Sequence, residues 1–182
     1  MKKIALGVTA LLDVVSIANA QTDKGDWMVG GNMTINTTSG NSEFSLTPSA
    51  GYFFAKNFAA GALVTLKFQN IEGTKYSTVE VGPFARYYFD LKNSNFKPFL
   101  HADFNFGNST VKNDFGKVNS TVTSFFIGAG GAFFINPNVA LEAVAGYNRS
   151  KIENLPPDNG FLFRIGFQVH LLGHEVARLK GN

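Results

Sequence analysis

The chain has no cysteine, so neither a disulfide framework nor a thiolate metal site can be built, and stability has to come from packing and hydrogen bonds. Charge is scarce as well: Asp, Glu, Lys and Arg make up 16% of the residues and the formal net charge is +3. Lys2, Lys3 and Asp13 all fall in the first 20 residues, and the remaining charges are too scattered to form a stripe that would bind nucleic acid. Beyond residue 20 no stretch approaches the ~20 continuous apolar residues of a membrane helix. If the chain crosses a membrane, it has to do so with strands. No composition shift or linker marks a second domain.

What is abundant is phenylalanine and glycine, 19 of each, with aromatics at 14%. Mean hydropathy is near zero because apolar and polar residues are interleaved, which is what a membrane-spanning strand needs on its two faces. The clearest stretch is Phe161 to Leu171. Phe161, Phe163, Ile165, Phe167, Val169 and Leu171 alternate there with Leu162, Arg164, Gly166, Gln168 and His170. A period of two sustained over this length is a strand signature, and at about 3.3 Å per residue such a strand tilts across a hydrocarbon core roughly 30 Å thick.

The N-terminus reads differently. Met1-Lys2-Lys3 is a basic start, Ile4 to Ile17 is mostly apolar apart from Asp13, and Ala18-Asn19-Ala20 fits a small-x-small cleavage pattern. The expected organisation is a secretory signal peptide over 1–20, a barrel domain over 21–172, and a periplasmic tail over 173–182.

Between the ends, seven further segments alternate in the same way: Asp26 to Asn36, Glu43 to Phe54, Phe58 to Gln69, Thr78 to Phe89, Phe96 to Phe106, Ser124 to Phe133 and Val139 to Tyr147. Pro48 and Pro83 each remove a ladder donor and mark weak pairing or bulges, and Gly128-Ala129-Gly130-Gly131 suggests a bend. The second, fourth and sixth connections are short. The others are longer and polar, with 107–117 and 148–160 longest, as expected for short periplasmic turns facing longer extracellular loops. Aromatics gather near strand ends (Trp27, Phe58, Tyr87, Phe89, Phe96 and Phe133 at one rim; Phe44, Phe68, Phe106, Tyr147 and Phe161 at the other), as interfacial girdles do.

These features predict an all-β fold, an eight-stranded antiparallel up-and-down transmembrane β-barrel in a bacterial outer membrane. The competing reading is a secreted soluble barrel of the lipocalin kind, with its apolar face turned inward. Gly51, Gly61, Gly82, Gly146 and Gly166 lie on the polar face, where a crowded eight-stranded lumen needs small residues and a solvated face does not. Over residues 26 to 171 the architecture resembles the small outer-membrane barrels of the OmpA transmembrane-domain and OmpX type, grouped with porin-like outer-membrane β-barrel proteins. Such chains commonly end on an aromatic residue, whereas here the last strand ends at Leu171-Leu172.

The inward face carries Lys67, Glu80, Arg86, His101, Asp103, Glu142, Arg164 and Gln168. In a narrow lumen the expected role of these residues is a polar network of ion pairs and hydrogen bonds. Lys112, Lys117, Arg149 and Lys151 are candidates for binding an extracellular ligand, or lipopolysaccharide phosphate, through the loops. The expectation is a monomeric, non-enzymatic protein with no cofactor and no metal, in contact with outer-membrane lipid and lipopolysaccharide, supporting envelope integrity or surface interaction. Two alternatives stay open. One is a small ion or solute pore. The other is a lipid A-modifying barrel enzyme using His101 and Asp103, which share a face.

Overall fold

A computed structural model describes residues 22–38, 41–71, 74–92, 95–113 and 116–173, with side chains at all of these except 36–38, 41, 71, 112, 113 and 117. The expected signal peptide and nearly all of the tail lie outside the described residues. Eight strands follow in order: β1 (Trp27–Thr38), β2 (Asn41–Ala55), β3 (Phe58–Ile71), β4 (Thr74–Tyr88), β5 (Phe96–Asn113), β6 (Gly116–Asn136), β7 (Val139–Ile152) and β8 (Asp158–Leu171). Each pairs antiparallel with the next and β8 returns to β1, which closes the barrel.

Alternation decides which way the sheet faces. On β4, residues 78 to 88 switch between buried even and more exposed odd positions. The buried face is the polar one: Glu80 and Arg86 are 3% and 2% exposed, whereas Ile127 and Phe161 on the outer face are 51% and 80% exposed. A soluble barrel has the opposite arrangement, so the lipocalin reading is excluded. Both expected aromatic rims point outward. Glycines clear space inside: a Cβ on Gly130 would stand 2.6 Å from Phe99 Cζ, and one on Gly51 2.8 Å from Phe84 Cζ.

The connections differ from the sequence reading. Strands β1–β2, β3–β4 and β5–β6 are joined by residues 39–40, 72–73 and 114–115, so the polar stretch 107–117 is mostly ladder rather than loop. Likewise, much of 148–160 belongs to β7 and β8, leaving 153–157 between them. The physical reason is that Ser, Thr and Val tolerate the pleated conformation, and pairing satisfies the backbone above the membrane as well as within it. Polarity therefore reported emergence from the lipid, not the end of the strand.

Pro48 and Pro83 do interrupt pairing. The β2–β3 ladder skips from Leu46↔Leu66 to Ser49↔Leu63, and the β4–β5 ladder skips from Val81↔Phe106 to Phe84↔Asp103, with the register kept in both cases. The register shifts fall instead at Phe53/Ala55 and Phe134/Asn136, beside short turns, and the ladders run unbroken through Gly128 to Gly131.

Candidate functional site: the lumen and its mouth

The lumen is organised in three levels. At the short-turn end the chain before β1 folds across the opening. The Gly25 amide donates to the Phe53 carbonyl (2.9 Å), and the Asn57 amide donates to the Thr22 carbonyl (2.7 Å). The Thr22 hydroxyl donates to Asn57 Oδ1 (2.6 Å) and accepts from Lys97 Nζ (2.7 Å). Lys97 also donates to Asp90 Oδ1 (2.8 Å), whose other oxygen accepts from Asn57 Nδ2 (2.7 Å). Partial burial pulls the Asp90 pKa upward, but the hydrogen bonds from Lys97 and Asn57 and the charges of Lys97 and Lys56 outweigh it and hold the carboxyl below its ordinary value. Above this floor Met28, Phe53, Tyr88, Phe99 and Phe134 are fully or almost fully buried, and His170 packs against Phe134 and Phe53 with centroids 5.1 and 5.7 Å apart. Together they make an apolar, aromatic plug.

The second level is a continuous chain of charged and polar side chains. Arg86 Nη1 donates to both Glu142 oxygens (2.8 and 2.7 Å) and to the Tyr88 hydroxyl (3.0 Å), which in turn donates to Glu142 Oε1 (3.1 Å). Arg86 Nε donates to His101 Nδ1 (3.2 Å), and His101 Nε2 lies 3.1 Å from Asp103 Oδ2. Asp103 is completed by Arg164 Nη1 (2.7 Å) and Asn105 Nδ2 (2.6 Å). Aromatic faces cover the cations: Arg86 Cζ is 4.4 Å from the Phe99 centroid and Arg164 Cζ is 4.0 Å from that of Phe126. Phe84 stacks on His101 at 5.5 Å.

Because Arg86 donates to Nδ1, the imidazole is the neutral tautomer with its proton on Nε2, directed at Asp103. Both ring nitrogens are occupied and the residue is 4% exposed. This geometry orients charges and offers no lone pair to an incoming substrate.

The third level is the mouth. A gap of about 20 Å³ lies among Glu80, Lys67, Asn105, Arg164 and small hydroxyl residues. It adjoins an outer cavity of about 270 Å³ bounded by residues of β2, β3, β7, β8 and the 153–157 connection.

Five of the eight predicted luminal residues, Arg86, Glu142, His101, Asp103 and Arg164, thus form one network. Gln168 stands apart with a 3.4 Å contact to the Ser49 hydroxyl. Lys67 and Glu80 are inward but not joined to the network. Sequence reasoning did not assign Tyr88 or Asn105 to it, although each stands two residues from a charged member on the same strand face. Of the basic rim candidates, Arg149 and Lys151 are exposed on β7. Lys112 and Lys117 face each other across the β5–β6 ladder, with their side chains outside the described residues, and Lys75 faces Lys112 across β4–β5. All four candidates therefore lie on strands instead of loops.

A closed eight-stranded antiparallel barrel with charges inside and apolar side chains outside matches the family model described as outer membrane protein beta-barrel domain, over residues 7–170. The chain belongs to this family. It is a bacterial outer-membrane protein, and its outer face sits in outer-membrane lipid. Among solved structures, Neisserial surface protein A is similar at 23% identity, with 80% of this chain and 97% of that chain covered and a TM-score of 0.62. The N-terminal barrel domain of Pseudomonas aeruginosa OprF matches at 14% identity over 81% and 98% of the two chains, with a TM-score of 0.56. OprG of the same organism matches at 14% identity over 85% and 100%, with a TM-score of 0.52. At these identities the likeness is one of fold. No curated protein matches the chain.

Proposed function

We propose that this outer-membrane barrel is a non-enzymatic, non-conducting envelope protein that holds anionic outer-leaflet groups, lipopolysaccharide phosphate above all, against its extracellular rim. The observation that carries this reading is the row of lysines across three strands, Lys75 opposite Lys112 and Lys112 opposite Lys117. Like charges directly opposite each other in a ladder are destabilising, so such a row is costly unless an anion accompanies it, and lysine is a ready point charge for phosphate. Arg149 and Lys151, exposed on β7 beside Phe125 and Thr123 of β6, stand lower on the same outer surface, apart from the row. The aromatic plug and the cross-lumen ion pairs support a closed lumen over a pore, and the engaged ring of His101 supports a scaffold over a lipid-modifying enzyme.

The test is lipopolysaccharide retention by the refolded, column-bound barrel in detergent. Retention is expected to fall several-fold in a K75Q/K112Q/K117Q variant and with added salt, while planar bilayers containing wild-type protein stay electrically silent. Equal retention by the variant would reject the rim reading, and steady channel openings would reject the closed lumen.

A further inference from the structure

We propose that the extracellular mouth of the barrel is a blind pocket for a small primary ammonium ion carrying an apolar body, with the Glu80 carboxylate as its floor. Glu80 is 3% exposed and its Oε1 has no hydrogen-bond partner among the described residues. A buried carboxylate in that condition is costly unless a charged donor reaches it. The neighbouring guanidinium groups are committed elsewhere, Arg86 to Glu142 and Arg164 to Asp103. Glu80 therefore lines the gap as a buried carboxylate with acceptor capacity to spare.

Size and chemistry narrow the occupant. The gap at Glu80 has room for about one water-sized group, roughly 10–15 Å³ being the least such a group needs, against its volume of about 20 Å³. An ammonium head is of that size and brings three donors. The wall offers matching acceptors in the Thr47 and Thr65 hydroxyls. A divalent metal is a poorer match, since no cluster of three or more His, Cys, Asp or Glu is found among the described residues. The outer cavity of about 270 Å³ shares Glu43, Lys67, Asn148 and Leu162 with the gap, and Leu155 and Pro156 supply an apolar side against which a short alkyl body can rest. Below the gap, the ion-paired level and the plug block the way through.

The pocket has a built-in competitor. Lys67 pairs with Ser45 on one side and Thr78 on the other, one diagonal step from Glu43 and from Glu80, and diagonal neighbours about 7–8 Å apart are within reach of a long side chain. In the empty pocket its ammonium can swing onto Glu80, and an entering amine has to displace it. Removing the Lys67 charge should therefore strengthen binding, the reverse of what a residue that merely lines the cavity would do.

The experiment uses the refolded barrel in detergent micelles, titrated with n-butylammonium chloride, n-butanol and tetramethylammonium chloride while backbone amide shifts are followed by NMR. Saturable shifts at Thr65, Glu80 and Asn105 are expected with butylammonium alone. Glu80→Gln should abolish them, and Lys67→Met should tighten the dissociation constant roughly threefold or more by removing a like charge at close range. Folding of each variant is checked by the heat-sensitive gel shift. Saturation by butanol or tetramethylammonium equal to that by butylammonium, or absence of saturable shifts in the wild type, overturns the proposal without recourse to any variant. Unchanged binding in a folded Glu80→Gln barrel overturns it as well.

Discussion

Glu142→Gln removes one charge from the best-enclosed ion pair of the lumen. Arg86 Nη1 and Glu142 Oε2 are 2.7 Å apart with side chains 1% and 0% exposed, so neither charge can be compensated by bulk water. Two unit charges 4 Å apart at an effective dielectric constant near 20 attract by about 4 kcal/mol, and breaking a buried pair from one side typically costs about 3–5 kcal/mol because the other charge is left uncompensated. Glu142→Gln and Arg86→Met should each lose that much. The double variant Arg86→Met/Glu142→Gln removes both charges, leaves the Tyr88 hydroxyl an amide oxygen to donate to in place of the carboxylate, and orphans His101 Nδ1, which now accepts from Arg86, so about 1–3 kcal/mol should be lost. The double is thus more stable than either single. Trp27, the chain's one tryptophan, lies on the outer face beside Tyr52, with ring centroids 5.2 Å apart. Its fluorescence should follow urea-driven unfolding from lipid vesicles for all four proteins. Single variants within about 1 kcal/mol of wild type, or losses that simply add in the double, would refute the buried-pair account.

Arg164→Glu sets a second carboxylate beside Asp103, which Arg164 now contacts at 2.7 Å, and should abolish the heat-resistant folded band on gels; a wild-type band would count against the network. Gly130→Val drives a Cβ into the Ala143 carbonyl oxygen and to 2.6 Å from Phe99 Cζ, and should prevent folding into vesicles, whereas substitution at Gly160, which has open space around it, should be tolerated. Asp90→Asn should show a pH signature. The folded-state pKa of Asp90 is depressed, so its contribution is present above the ordinary carboxylate value near 4 and is lost as pH falls through the lower folded value. The wild-type advantage measured by urea titration should accordingly be present at pH 7 and vanish in strong acid, and an advantage independent of pH would contradict this assignment.

The barrel itself was legible because its code is local. Alternation along Phe161 to Leu171 needs no knowledge of any other strand, and eight such segments with glycine on the polar face suffice to predict closure with charges inside. Where strands ended was not legible. The run from Asn108 to Lys117 is polar whether it loops or pairs, and cross-strand hydrogen bonds chose pairing. The same limit hid the lysine row, since Lys75 and Lys112 become neighbours through the β4–β5 register.

The sequence by itself determined which side chains face the lumen, because the two-residue period of a strand sorts inside from outside as soon as one face must meet lipid. The tertiary structure alone decided which of those side chains meet. Arg86 on β4 finds Glu142 on β7, 56 residues away, across the lumen, and Arg164 on β8 finds Asp103 on β5 in the same way. Glu80 has the same residue type and sits on the same inward face, yet it is left facing a small cavity. The physical reason is that contacts across a closed barrel depend on register and stagger summed around the whole ring, and no local pattern carries that sum.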